Sequence, residues 1–316
     1  MALRNSLFAV SGKASFLDAR RDMSGLFVCD KTTMMPIAGI LDRSQDNLVT
    51  GRGDSMSVTV HPFNAVLNRY GALLIQNDGN VNVPLNAAPS ANSRIDVVYV
   101  KQHETRSPMS DSSDVPEFGV VNGTAAAVPV APAVPDGALA LAQVLLPAGV
   151  SNTAASGVVI TQTYIGAAMK GDMLRVQTSA QRDAMTGVPD GTLLHNVADN
   201  CDYVRKGGKW RGWNMPWMDI HLDSNTVNVW ASNGTAHIHV QTADINLTGW
   251  GSYVTVAHVN NSAFCPDIQQ GIYAGTGYGY FPTYLGVDSD GNVKIGYSGG
   301  QTGNRAVRSV LTYNIG

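Results

Sequence analysis

The chain has 316 residues and a formal net charge of −3, and 14% of it is charged, against roughly 25% in ordinary soluble proteins. With no basic cluster to neutralise phosphates, it is not expected to bind nucleic acid. Only Glu104 and Glu117 among its 24 acidic residues are glutamate, and 33 Gly and 14 Pro add turn-formers, so little helix is expected.

The N-terminal MALRNSLFAVSGK has too short an apolar run for a signal peptide. A short helix is predicted around Phe16 to Met23. From Ser57, Val58 and Val60 alternate with Thr59 and His61, as on a strand. In YGALLIQNDGNVNVPL two apolar runs flank Asn77-Asp78-Gly79-Asn80, which predicts a hairpin closed at Asp-Gly. Arg94 to Val100 reads as another strand, and 103–117 as a polar, mobile loop. Gly123 to Val150 is mostly Ala and Val but carries Pro129, Pro132, Pro135 and Pro147. Those prolines rule out a spanning helix, so an extended, surface-hugging segment is expected, with no membrane insertion. A first β domain is expected to close near residue 160.

The best helix candidate is 162–186, where Ile165, Met169, Met173 and Val176 fall at roughly helical spacing despite Gly166 and Gly171. A small Trp-rich neck follows to Trp217, with short strands at Leu193, at Tyr203-Val204 and around a Gly207-Gly208 turn. From Met218, strand-like runs recur at Thr226–Ala231, Ala236–Thr242, Tyr253–Val259, Tyr284–Asp288, Val293–Tyr297 and Ala306–Tyr313. Their spacing predicts an antiparallel sandwich or jelly roll, with Asp290-Gly291-Asn292 as a hairpin turn. The expected fold is all-β: an N-terminal domain (1–160), a helical linker and neck (161–217), and a C-terminal β-sandwich head (218–316). Cys29, Cys201 and Cys265 are an odd, widely spaced set without C-x-x-C, expected to be reduced, packed thiols. No cofactor is implied.

Some of these segments resemble a known family. The strand SRIDVVYV (93–100), the polar loop after it and VVNGTAAAVPVAPAVPDGALALAQVLLPAG (120–149) resemble tail and baseplate proteins of tailed bacteriophages, particularly minor tail proteins of siphophages. TSAQRDAMTGVPDGTLLHNVADNCDYVRKGGKW (178–210) resembles a small module of phage tail fibres. The resemblance implies a virion component made in the host cytoplasm, its N-terminal domain seated on other tail proteins and its C-terminal head meeting the host surface. It also implies a homotrimer.

Motifs that could carry chemistry read mainly as structure. Gly53-Asp54-Ser55 looks like a lipase-type nucleophile motif, but no histidine has Asp three positions before it. The overlapping Arg52-Gly53-Asp54 reads as a turn. Gly296-Tyr297-Ser298-Gly299-Gly300 fits G-x-S-x-G but lies after the last histidine, His258, so it reads as a Gly-rich hairpin. Asp219/Asp223 and Asp288/Asp290 are candidate carboxyl pairs for glycan cleavage by number alone. Asp288 to Asn292 also resembles the start of a calcium loop without its closing Glu. His237 and His239 share one strand face; three chains meeting there could surround a metal, although solvent-facing histidines are the expected outcome.

Aromatic residues carry the functional signal. All five Trp follow residue 200, and GIYAGTGYGYFPTYL (271–285) concentrates tyrosines on a Gly-rich stretch. Such rings can stack on sugar C–H groups. The candidate receptor-binding residues are Trp250, Tyr273, Tyr278, Tyr280 and Tyr284, whereas Trp230 and the Trp210–Trp217 cluster are expected to pack inside. The expected function is non-enzymatic: anchoring to the tail and adhering to a host glycan or protein. A tail-associated cell-wall glycan hydrolase, or a baseplate subunit without receptor contact, are the alternatives.

Overall fold

The computed structural model describes residues 15–41, 47–222, 226–241, 245–249, 251–274, 283–297 and 303–315. The chain is all-β and divides into two compact units: Met1–Gln181 with Gly187–Thr192, and Arg182–Thr186 with Leu193–Gly316. Among the described residues no helix is long and apolar enough to cross a membrane.

The first unit opens with α1 (Phe16–Ser24). Ser15 starts it with a capping box: its hydroxyl accepts from the Asp18 N–H, and the Asp18 carboxylate accepts from the Ser15 N–H. Strands β1 (Gly39–Ile40), β2 (Val49–Gly51), β3 (Ser57–Val60), β4 (Phe63–Asn68), β5 (Ala72–Asn77) and β6 (Val81–Pro84) follow. Next come β7 (Arg94–Gln102), β8 (Pro116–Val121), β9 (Leu139–Leu146), β10 (Val159–Gln162) and β11 (Met173–Val176). β1 through β10 build three sheets, ordered β1-β4-β5, β2-β3-β6 and β10-β9-β7-β8. One core joins them, with Leu48, Val58, Phe63, Val98, Leu141 and Leu146 among its buried side chains.

The hairpin expected at Asp78-Gly79 does not form. β5 is already paired with β4, through a tight turn in which Tyr70 and Gly71 take positive φ, while β6 pairs with β3 in a different sheet. The asparagines flanking Asp78-Gly79 serve His61 instead. Asn77 Nδ2 donates to the His61 carbonyl (2.9 Å), and Asn80 Oδ1 lies 3.0 Å from His61 Nδ1.

The RID segment on β7 is an anchor. Arg94 and Asp96 sit two apart on one strand face, and Arg94 Nε and Nη2 both donate to the Asp96 carboxylate, which is fully buried. Arg94 also donates to the carbonyls of Asn86 and Ala87, and Asp96 accepts from the Gly123 N–H. A Cβ at Gly123 would strike the Ile95 carbonyl, so only glycine lets this loop close on β7.

The loop expected to be mobile, after β7, is tied down. Asp111 pairs with both Lys101 (2.9 Å) and Arg69 (2.5 Å), while Glu104 pairs with Arg20 and Arg69. Burial alone would raise the Asp111 carboxyl. Hydrogen bonds from Lys101, the Glu104 N–H and Arg69, with Arg69's charge, outweigh burial and hold it well below the usual carboxylate range. The Ala/Pro segment before β9 forms no helix and leaves Val128 and Val130 exposed.

The helix expected over 162–186 is overturned. β10 ends at Gln162, Met173–Val176 is a strand, and helical structure in that stretch is confined to α2 (Ser179–Ala184). Gly166 exchanges two backbone hydrogen bonds with Arg175, Gly171 takes φ +90°, and the four apolar residues that suggested a helix stand on extended chain. Residues 161–181 accordingly group with the first unit, and of the stretch to Trp217 all but Gly187–Thr192 groups with the C-terminal strands.

The second unit holds β12 (Leu193–Asn196), β13 (Cys201–Lys206), β14 (Lys209–Asp219), β15 (Thr226–Ser232) and β16 (Thr235–Gln241). It continues with β17 (Ile245–Leu247), β18 (Tyr253–His258), β19 (Gln270–Ala274), β20 (Thr283–Val287), β21 (Asn292–Tyr297), β22 (Gly303–Arg305) and β23 (Arg308–Asn314). β12 through β16 and then β23 run side by side, and a second sheet is ordered β18-β21-β20-β19. β19 and β20 contact β23, giving a sandwich with Val229, Ile238, Leu311, Leu285 and Ile295 buried. Phe264 packs edge-on against Tyr203 and lies over Gly212, and its carbonyl accepts from the Tyr313 hydroxyl (2.9 Å). Both hairpins expected here form: Gly207-Gly208, with positive φ at both, joins β13 to β14, and Asp290-Gly291 joins β20 to β21. Cys201 and Cys265 are buried, which pushes their thiols up to about 12 and about 11.

Candidate functional site

Because side chains alternate across a strand, the buried Leu285, Val287, Val293 and Ile295 put their neighbours on the outer face of the second sheet. Register then aligns that face in rows. Tyr273 stands opposite Tyr284, Tyr284 opposite Gly296, and Gly296 opposite Tyr253, so one row crosses β19, β20, β21 and β18. It covers three strand spacings, about 14 Å. The next row holds Gly271, Gly286, Lys294 and Thr255.

The glycines give the tyrosines their pose. A Cβ on Gly271 or on Gly286 would overlap the Tyr284 ring, and one on Gly296 would overlap the ring of Tyr253. Tyr284 therefore lies down across two strands, where any other residue would push it up. Tyr253 meets it at 5.7 Å between centroids and 89° between planes; Tyr273 meets it from the other side at 6.0 Å and 70°. Such edge-on pairs are favourable ring geometry. Gln269 Nε2 donates to the Tyr284 hydroxyl (2.6 Å), which pins the ring's end. Tyr273 is 70% exposed and Tyr253 55%.

Of the residues singled out from sequence, the fold thus brings Tyr273 and Tyr284 together. Trp250, Tyr278 and Tyr280 lie outside the described residues, as do Asp223 and Ser298. Tyr253 was missed. Its strand was legible, but its place in the row depends on cross-strand register, which no local pattern displays.

The outer face of the larger sheet carries a second aromatic group, against expectation. Trp230 is not core: Val229 and Ala231 point inward, which turns Trp230 outward. It stacks on His237 (5.0 Å, 16°) and on Trp217 (4.7 Å, 21°), and Trp217 is 58% exposed rather than packed in a neck. Trp210 does pack inside and donates to the Arg182 carbonyl (2.8 Å). His237 and His239 share the outer face. Nδ1 of His237 lies 3.0 Å from Thr312 Oγ1, and His239 sits beside the Trp217 ring. Among the described residues no group of three His, Cys, Asp or Glu is placed to hold a metal ion.

The remaining candidates have local partners. Arg52 clamps Asp54, and Ser55 bonds to Asp54 and Ser57, while both ring nitrogens of His61 are held by Thr50 and Asn80. Asp219 pairs with His221 (2.6 Å), whose hydrogen bond lowers its pKa. Asp288 accepts from the backbone N–H groups of Asp290 and Asn292 and from Lys294 Nζ (2.6 Å), an Asx-type turn in place of a calcium loop. Compared with known proteins, the chain matches no family model and no curated sequence.

Proposed function

We propose that the chain is a structural attachment protein of a phage tail. Its first unit is the seat on neighbouring tail proteins, and the outer face of its second unit adheres to a surface polymer of the host cell, a glycan in the first instance. It works in the virion as a homotrimer and performs no chemistry of its own. The observation that carries the adhesive part is the tyrosine row. Three rings stand on one sheet face, two of them mostly exposed, and three glycines leave room for the poses of Tyr284 and Tyr253. Rigid aromatic contact area of this kind binds at low entropic cost, because little has to be ordered on contact. The seating part is supported by the phage-tail resemblance of residues 93–149. The Arg94–Asp96 anchor there fixes two loops to one strand.

The test is direct binding to cells. Labelled full-length chain should bind whole cells of a susceptible host, and should bind about tenfold more weakly when Tyr253 and Tyr284 are both changed to alanine. Equal binding by a double variant with unchanged circular dichroism sinks the adhesive reading.

A further inference from the structure

The tyrosine row is not a flat strip. Tyr284 forms a floor over Gly271 and Gly286, and Tyr253 and Tyr273 stand steeply against it on opposite sides, at 89° and 70°. Sugar stacking asks for one open ring face. Rings set at 89° and 70° to Tyr284 can instead turn more than one π-face toward a guest lodged over that ring, an arrangement that suits a bulky, weakly hydrated cation.

Charge beside the row has the matching sign. Lys294, in the adjacent row, is drawn toward the β20–β21 turn by Asp288 at 2.6 Å. With Asp290 in the same turn, two carboxylates stand against one ammonium, and the local sum is negative. The charge of Lys294 is thus offset within the turn that holds it.

We propose that Tyr253, Tyr273 and Tyr284 form an open aromatic cage for a quaternary or N-methylated ammonium group. If the tyrosine row is the adhesive face, as argued above, this narrows its target to surface polymers that carry choline or a similarly methylated amine. The methyl groups pack on the rings, the delocalised charge faces their π-clouds, and the outward side of the headgroup stays in water.

The experiment is a ligand-observed NMR titration of the full chain with choline, with choline's uncharged tert-butyl isostere, and with glucose. The cage requires saturable choline binding in the millimolar range, weaker binding of the isostere by about tenfold, and no comparable saturation by glucose. Tyr273→Ala removes one exposed wall and should weaken choline several-fold, while Tyr273→Phe retains binding. Equal affinity for choline and isostere, saturation by glucose alone, or a Tyr273→Ala variant that binds as before would each overturn the cage. The cell-binding assay separates this from the adhesive reading. Tyrosine variants that lose cells while choline never bound refute the cage alone; choline binding with unchanged cell attachment refutes adhesion through this face.

Discussion

The two units solve opposite problems with opposite chemistry. The first carries long irregular segments and fastens them with buried charge: Arg94 on Asp96, and Arg69 and Lys101 on Asp111. Among the described residues the second has hairpins as short as Gly207-Gly208 and an exposed ion pair in Arg211 with the 58%-exposed Asp267. Its specialised residues are aromatic rings and the glycines beneath them. A buried ion pair gives directional hold on a loop that has no ladder of its own, whereas a ring over glycine gives a shaped outer surface. The difference is the one expected between a part that must keep its loops in place and a part that must present a face.

The largest effect should come from breaking the first unit's anchor. Asp96→Ala leaves the Arg94 guanidinium buried without its partner and should cost about 3–5 kcal/mol, read as a lower midpoint of denaturation by far-UV circular dichroism. A loss under about 1 kcal/mol would show that the anchor is dispensable. Asp111→Asn comes next, at about 3 kcal/mol near neutral pH. Its pH signature has a definite sign. Because the folded carboxyl is held below its ordinary value, its stabilisation is fully present above that value, about 3.9, and is lost as pH falls below it. The variant should lose less stability on acidification than the parent, and parallel acid titrations of the two would contradict the depressed pKa.

The identity of the turns explains what could and could not be read in advance. Of the chain's four Asp-Gly dipeptides, those at 78–79 and at 290–291 are the ones expected to close hairpins. The second closes a hairpin, with Gly291 at φ +86°, and the first does not. Turn chemistry states that a chain can reverse; it is silent on which sheet each flanking strand joins, and here β5 joins β4 while β6 joins β3. The same limit applies to 162–186, where apolar residues at near-helical intervals fall in a stretch that includes a strand, Met173–Val176, and of the four only Val176 is buried. Where strands follow one another with short links, as from Thr226 to Gln241 and from Thr283 to Tyr297, alternation alone located them. For Trp230 the signal lies in the alternation itself: Val227, Val229 and Ala231 point inward, so the large ring between them faces out. The candidate site was half legible, since tyrosine enrichment was visible in sequence but the row was not.

Two smaller effects sharpen the contrast. Gly286→Ala places a methyl group where the Tyr284 ring lies, so it should cost about 1–2 kcal/mol and lift the ring, changing the Tyr284 side-chain NMR shifts. An unmoved ring would mean that the glycine has no part in posing it. Asp267→Ala, which removes an exposed pair in the second unit, should cost less than about 1 kcal/mol in the same denaturation assay. A loss as large as that of Asp96→Ala would erase the distinction between the units.

The sunken thiols of Cys201 and Cys265 have a practical corollary. Alkylating reagents attack the thiolate, and burial both hides these sulfurs and suppresses their ionisation, so in the native protein they are chemically silent. Each becomes reactive only when its surroundings come apart. The unaltered chain thus carries two internal clocks in its second unit, and the rate at which they take up label records how often that sandwich breathes.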